Sequence, residues 1–310
     1  MDYLKDILII VASCIALGKG AAWLVDSAAK IARRLGISEL VIGLTIVAFG
    51  TSAPEFAATI SAALKGEEAL ALGNVIGSNT FNIGFILGGC AMVAAIKINP
   101  ALLWRDSLIL IIITTVLLAF MFDGELSRLE GAILFIGLIA YLLFLFWKKQ
   151  PPLDEELPTG TAGSKDVLLL ILGLILIIAG GYFLVIAATS IAQRLGISEL
   201  VIGLTVVAAG TSLPELVISL VAIIKKHHGI SAGNLVGSNL FNTLGVLGLA
   251  GVLRPISTDN HALICIGLLI GLTALMMIFM KTKWRLSRAE GAILVLASLA
   301  IWVYYFVGKQ

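Results

Sequence analysis

Long apolar stretches broken by short polar segments repeat along the whole chain. Ten are distinct, at about 6–27, 38–64, 69–93, 104–122, 129–147, 166–188, 198–224, 229–253, 262–281 and 289–308. About 20 helical residues cross the ~30 Å hydrocarbon core of a bilayer, so each run is long enough to span. The strand-like alternation of an outer-membrane barrel is not the pattern here. The spacing predicts an all-α polytopic membrane protein of ten transmembrane helices. Residues 6–27 exceed the apolar core of a signal peptide and match 166–188, which reads them as a retained first helix.

The pattern is written twice. Residues 36–55, GISELVIGLTIVAFGTSAPE, return at 196–215 with seventeen of twenty positions identical. GNVIGSNTFN at 73–82 returns at 233–242 with seven of ten identical, and LSRLEGAIL at 126–134 returns at 286–294 with eight of nine. One offset, 160, relates all three pairs. The reading is a first five-helix repeat at 1–147, a linker at 148–165 and a second five-helix repeat at 166–310. Five is odd, so the second copy enters the membrane from the opposite side, an inverted-topology repeat of the kind secondary transporters use.

Composition agrees with a lipid-facing surface. The 310 residues are 59% hydrophobic and 13% charged, with a mean hydropathy of +1.07, against about 45–50% and about 25% in soluble domains. A net charge of +2 gives no reason to expect a nucleic-acid partner. What matters is where the basic residues fall. Fourteen Lys and Arg occupy the loops on one side of the predicted topology and six those on the other. Positive loops stay inside, so both termini are expected to be extracellular and the proline-rich linker cytoplasmic, in a cell membrane. The acidic run Asp154–Glu156 in that linker reads as a solvated stretch. Cys14, Cys90 and Cys265 all lie in apolar runs and read as small buried hydrophobes.

The chemistry is concentrated where charge is most expensive. Spans 38–64 and 198–224 are centred on Thr51 and Thr211, and Glu55 and Glu215 follow one helical turn later. A carboxylate at this depth costs about 2.5–3.5 kcal/mol even on the lenient insertion scale and calls for a partner. Few basic side chains lie deep enough; Lys19 and Asp26, two turns apart on span one, are candidate partners for each other. A bound cation is the simplest partner for the glutamates. Pro54 and Pro214 lack an N–H and crowd the carbonyls of Gly50 and Gly210, predicting a kink and free carbonyls around Ala48–Thr51 and Ala208–Thr211. Those carbonyls, the hydroxyls of Thr51, Ser52, Thr211 and Ser212, and two carboxylates make an all-oxygen set, suited to Ca²⁺ and Na⁺ rather than to zinc or copper. His227, His228 and His261 fall at loop ends. Ser78 with Asn82, and Ser238 with Asn242, are spaced i, i+4 and share a helix face. Thr45 and Thr205 read as structural, and Glu39 and Glu199, in the first turns of their helices, as dipole-capping acids.

At these residues the chain resembles the Na⁺/Ca²⁺ exchangers of the cation/Ca²⁺ exchanger superfamily, in a minimal, prokaryotic form. The paired GTS-x-PE and GN-x-x-GSN motifs look like that family's two alpha repeats. The resemblance implies a secondary active antiporter, not an enzyme, with no cofactor beyond its transported ions. It implies that Glu55, Glu215, Thr51 and Thr211 bind Ca²⁺. Ser52, Ser78, Ser212 and Ser238, with the carbonyls of Ala48 and Ala208, would help hold Na⁺, and Asn82 would border the centre. It also implies that the first and sixth helices slide past the remaining bundle. Some exchangers of the family carry aspartate where this chain has Asn242, so here the centre has two carboxylates, balancing one Ca²⁺, two Na⁺ or two protons. An H⁺/Ca²⁺ antiporter using the same glutamates is the alternative. Proton-driven exchangers more typically carry a GN-type motif in place of GTS-x-P, which favours Na⁺. A cation channel fits inverted repeats with broken helices less well. An intramembrane enzyme fits least, because HExxH, a midplane Ser–His pair and a midplane aspartate pair are all missing.

Overall fold

The computed structural model describes residues 2–148, 162–195 and 208–307. Helices α1 (Asp2–Leu35), α2 (Glu39–Thr51), α3 (Ala53–Lys65), α4 (Glu68–Val93), α5 (Leu102–Asp123) and α6 (Arg128–Trp147) build the first half. The second half has α7 (Ser164–Arg194), α8 (Ala208–Thr211), α9 (Leu213–Ile224), α10 (His228–Leu253), α11 (Asn260–Lys281) and α12 (Arg288–Val307). Among the described residues, eight helices are long and apolar enough to cross a membrane, or nine if the bent pair α2–α3 is one span. The expected span 198–224 is seen only as α8 and the shorter apolar helix α9. Its start, with Glu199 and Thr205, lies outside the described residues, as does the linker run Asp154–Glu156.

The repeated LSR-x-EG motif builds the same local structure twice. It gives a capping box: Glu130 accepts from the main-chain N–H of Ser127 while the Ser127 hydroxyl accepts from that of Glu130, and Ser287 and Glu290 do the same. The glycine that follows lets two helices touch. A Cβ on Gly131 would sit 2.7 Å from the Gly248 carbonyl, and one on Gly291 would sit 2.5 Å from that of Gly88. So α6 packs on α10 and α12 on α4, both by close backbone approach. Cys90 and Cys265 are buried as expected, but Cys14 is exposed on α1.

The two halves interlock by exchange. Strand β1 (Ile96–Lys97) pairs with β4 (Arg285–Leu286), and β2 (Glu125–Leu126) with β3 (Ile256–Ser257), all antiparallel. Ile96 faces Leu286 and Leu126 faces Ile256, so shifting one pair by 160 gives the other. Loop contacts between the halves fall into two sets. Lys30 with Asp166, Lys225 with Asp26 and Lys97 beside Arg285 make one; Arg194 with Asp6, Arg254 with Glu68 and Glu125 beside Ser257 make the other. Asp26 thus pairs with Lys225 across the fold, not with Lys19 on its own helix, because that pairing closes at 2.6 Å to both carboxylate oxygens.

A buried carboxylate centre

The helix carrying GTS-x-PE breaks at serine. Ser52 has left helical geometry (φ −81°, ψ 9°), and α2 and α3 meet at 49°. Ser212 has the same conformation (φ −90°, ψ 8°). Both prolines fall in the first turn of the helix after the break, where the missing N–H has no intrahelical partner to lose. The expected set of free carbonyls is corrected at one position. The Ala48 oxygen accepts from Ser52 N at 3.1 Å and from the Thr51 hydroxyl at 3.2 Å, because the bend closes the turn before the proline tightly. Gly50 and Gly210 serve packing, since added Cβ atoms would strike Leu174 and Val185 of α7.

Glu55 and Glu215 follow their breaks by three residues and are completely buried. Each is bonded to the other half's breaking serine. Ser212 Oγ donates to Glu55 Oε1 at 3.0 Å, and Ser52 Oγ donates to Glu215 Oε1 at 3.1 Å. Ser238 on α10 adds a donor to Glu215 Oε1 at 3.4 Å, and its hydroxyl lies 3.3 Å from that of Thr51. The second oxygen of each carboxylate, Oε2, is buried and has no donor among the described residues. Thr51, Ser238, Glu215 and Ser52 therefore form one hydrogen-bonded chain, and Ser212 with Glu55 a second. Thr211 sits at the matching position in α8, and Ala208 begins that helix. Ser78 is buried on α4 but, among the described residues, makes no side-chain hydrogen bond to either carboxylate.

Asn82 and Asn242 lie at or beside the start of π-helical turns, Asn82–Leu87 and Phe241–Leu247. Such wide turns shift the direction in which side chains leave a helix and recur at functional sites. Asn82 Nδ2 donates to Asn239 Oδ1 at 2.9 Å and Asn242 Nδ2 to Asn79 Oδ1 at 3.2 Å. Both amide oxygens, Asn82 Oδ1 and Asn242 Oδ1, are buried without a donor among the described residues. Four oxygens, two from each half, are thus desolvated and unpaired. Each such acceptor costs about 1–3 kcal/mol in a protein with nothing to bind it, and desolvated hard cations seek such oxygens. Among the described residues no three His, Cys, Asp or Glu side chains gather.

Four further asparagines were missed by the helix-face argument. Asn79 and Asn239 hold the amides just described, and Asn74 and Asn234 hold the hydroxyls. Asn234 Oδ1 accepts from Thr51 at 3.1 Å while its Nδ2 donates to Ser219 at 3.1 Å, and Asn74 Nδ2 donates to Thr59 at 2.9 Å. A signal was available: 74, 78 and 82 share one face at four-residue spacing, as do 234, 238 and 242. Glu39 is also corrected. Ser38 supplies the helix cap through Val41 N, and the Glu39 carboxylate instead meets His227 Nδ1 at 2.7 Å. A separate buried acid, Asp106, is saturated by Arg105 at 2.7 and 2.9 Å and by the Tyr141 hydroxyl at 2.9 Å, so it offers no vacant oxygen.

Comparison with known proteins agrees with this architecture. The family model described as sodium/calcium exchanger protein matches residues 5–147 and 165–307, two stretches whose ends lie 160 apart. CaxA of Alkalimonas amylolytica is 36% identical, covering 92% of this chain and 91% of its own. The sodium/calcium exchanger MaX1 of Methanosarcina acetivorans is 33% identical, covering 97% and 98%. A solved structure of the sodium–calcium exchanger NCX_Mj superposes with a TM-score of 0.86 at 30% identity, covering 95% of this chain and 97% of that one. With its apolar spans and its two buried glutamates, the chain is an integral membrane protein that belongs to the sodium/calcium exchanger family.

Proposed function

We propose that the protein exchanges Na⁺ for Ca²⁺ across the membrane by alternating access, at the centre formed by Glu55 and Glu215. The observation that carries this is the reciprocal pair of buried carboxylates, each with one oxygen on the other half's serine and one without a donor. Two carboxylates compensate one Ca²⁺ or two Na⁺, so the ions compete for shared oxygens and cannot both fill the site. Ca²⁺ takes Glu55, Glu215, Thr51 and Thr211. Na⁺ takes positions bordered by Ser52, Ser212, Ser78, Ser238 and the carbonyls of Ala48 and Ala208, with the oxygens of Asn82 and Asn242 facing the middle. The Ala48 carbonyl keeps its bond from Ser52 N and offers its second lone pair to an ion once the Thr51 hydroxyl proton turns from it. An uncompensated charge at this depth is costly, so crossing between outward- and inward-open states with a filled site is favoured and exchange is coupled.

In this reading the halves 1–147 and 166–310 are inverted repeats of five spans each, ten in all, with both termini outside and the 148–165 linker in the cytoplasm. The exchange of partners at an offset of 160 supports it, in the strand pairs and in the serine–glutamate pairs alike. Helices α1 and α7 are the pair that slides. NCX_Mj was studied in soaks containing Na⁺ with Ca²⁺ or Sr²⁺, which makes Na⁺ the first driving ion to test here. The test is ⁴⁵Ca²⁺ uptake into liposomes holding the purified protein, with outward Na⁺ or outward proton gradients and the membrane potential clamped. Uptake with Na⁺ alone is expected. Uptake with protons alone would make the glutamates proton carriers and overturn the choice of Na⁺.

A further inference from the structure

We infer that Asn79 and Asn239 are positioning residues that decide which end of the Asn242 and Asn82 amides the transported cation meets; this rests on the site proposed above. A carboxamide offers an acceptor at one end and a donor at the other. A cation accepts only the oxygen end, so something must choose. In this fold the choice begins at main-chain carbonyls, which cannot flip. Asn79 Nδ2 lies 3.4 Å from the Asn239 main-chain oxygen. That oxygen only accepts, so this end of Asn79 is the NH₂, and its other contact, Thr243 Oγ1 at 2.9 Å, can accept too. Asn79 Oδ1 therefore faces Asn242 at 3.2 Å, and only the NH₂ of Asn242 fits against it. The Asn242 oxygen is left buried and without a donor.

The other half repeats the sequence of constraints. Asn239 Nδ2 donates to the Asn79 main-chain oxygen at 3.2 Å, which turns Asn239 Oδ1 to the Asn82 NH₂ at 2.9 Å. The Asn82 oxygen is again the unpaired end. Each positioning asparagine thus reads the other's backbone and aligns a ligand amide from the opposite half. All four side chains are buried, so water does not compete for these bonds.

A carboxylate has no wrong end, and this gives the test. The readout is the half-saturating Ca²⁺ concentration for ⁴⁵Ca²⁺ uptake in proteoliposomes, measured apart from the maximal rate. Asn79→Leu lets Asn242 rotate and offer its NH₂, and is expected to raise that concentration about tenfold. In the Asn242→Asp background nothing remains to misorient, and the change also removes the Asn79 oxygen facing the new carboxylate. There Asn79→Leu is expected to shift the concentration less than about twofold, or to lower it. Equal losses in both backgrounds would overturn the inference and leave Asn79 a packing residue. Asn239→Leu with and without Asn82→Asp repeats the test from the other half. Failure of both leucine variants to fold would overturn it as well, since choosing an amide's orientation does not require that the fold depend on it. Glu55→Gln and Glu215→Gln separate the two claims. Full transport by those variants sinks the site itself, whereas their loss alongside equal effects in both backgrounds sinks only the positioning role.

Discussion

The centre of the molecule and its rim are packed by the same device to opposite ends. Helix α10 has 89% of its spanning window buried, whereas α1 and α7 have 28% each. Both regions use glycine to bring backbones together. At the centre, a Cβ on Gly237 would meet Leu44 Cα and O at 2.7 Å and Ala48 Cβ at 2.8 Å. At the rim, Cβ atoms on Gly20 and Gly173 would meet each other's carbonyls at 2.7 and 2.6 Å. The difference is what surrounds the contact. Around Gly237 lies a buried polar network that ties α10 to α2 and α9. Around Gly20 and Gly173 the long helices show lipid a row of apolar side chains, Leu4, Ile7, Leu8, Val11 and Ile15 on α1 and Ile171, Ile175, Tyr182, Phe183 and Ile186 on α7. Hydrogen bonds fix a position along an axis; apolar contact with lipid does not. On the proposed function, the centre holds the ions still and the rim pair moves as one body.

The largest test of this contrast is at the carboxylates. Glu215→Gln or Glu55→Gln removes half the charge that compensates Ca²⁺ while keeping a group that can still receive the serine hydroxyl. Removing one partner of a buried charge pair costs about 2–5 kcal/mol, so ⁴⁵Ca²⁺ binding should weaken about 30-fold or more, with the detergent-solubilised protein still folded. Native affinity in either variant would mean that the centre is only a structural network.

Next come the two glycine contacts, compared with each other. Gly237→Ala and Gly20→Ala each force backbones apart, an overpacking cost of about 1–3 kcal/mol. At Gly237 the displaced residue next in line is Ser238, which touches Thr51 and Glu215, so Ca²⁺ affinity should fall along with thermal stability. Gly20 itself meets Gly173, Leu176 and Ile177 of α7 and not the carboxylates, so equilibrium Ca²⁺ affinity should hold while the exchange rate falls several-fold. Parallel losses of affinity in both variants would erase the distinction between a fixed centre and a moving rim.

Much of the centre was legible because membrane burial makes polar residues conspicuous. Glu55 and Glu215, their hydroxyl neighbours and the break before each proline all follow from charge and backbone chemistry in an apolar run. Local reasoning failed where the partner is far along the chain. Glu39 read as a capping acid from its place in the first turn of its helix, which it does occupy, but its hydrogen-bond partner His227 is 188 residues away. Asp26 was matched to Lys19 on its own helix, although Lys225 lies across the fold. The π-helical turns at Asn82 and Phe241 leave no trace in apolar spacing, and they shift the faces on which an i, i+4 argument rests. Asn79 and Asn239 were hidden because their function lies in what they do to another amide.

The Lys225–Asp26 pair is one tie between the rim and the centre's wall, joining α1 to the end of α9 at 2.6 Å. Its side chains are 32% and 48% exposed, so water screens it and it is worth at most about 1 kcal/mol. Lys225→Met should leave Ca²⁺ binding alone and change the exchange rate by less than about fivefold. A loss of binding instead would place this pair inside the site, not on the hinge between regions.

The smallest effect concerns His227, just before α10, where the centre's outer end meets Glu39 of α2. Burial opposes charge on the imidazole. The hydrogen bond and charge of Glu39, with Asp26 adding, outweigh burial and the opposing Lys225, and hold the pKa above its ordinary value. A raised pKa in the folded state means that folding favours the protonated ring. The contribution is complete below the unfolded pKa of about 6.5 and disappears as pH rises through the higher folded value. Between those values α2 is held to the α9–α10 turn by an ion pair, and above them by a neutral hydrogen bond. Thermal unfolding of the native protein should therefore shift to lower temperature over this window, and His227→Gln should flatten the shift while leaving Ca²⁺ affinity intact. If the pH dependence survives in His227→Gln, the titrating group lies elsewhere. If Ca²⁺ affinity falls with it, the boundary between holding the centre and binding the ion runs closer to the surface than the buried carboxylates suggest.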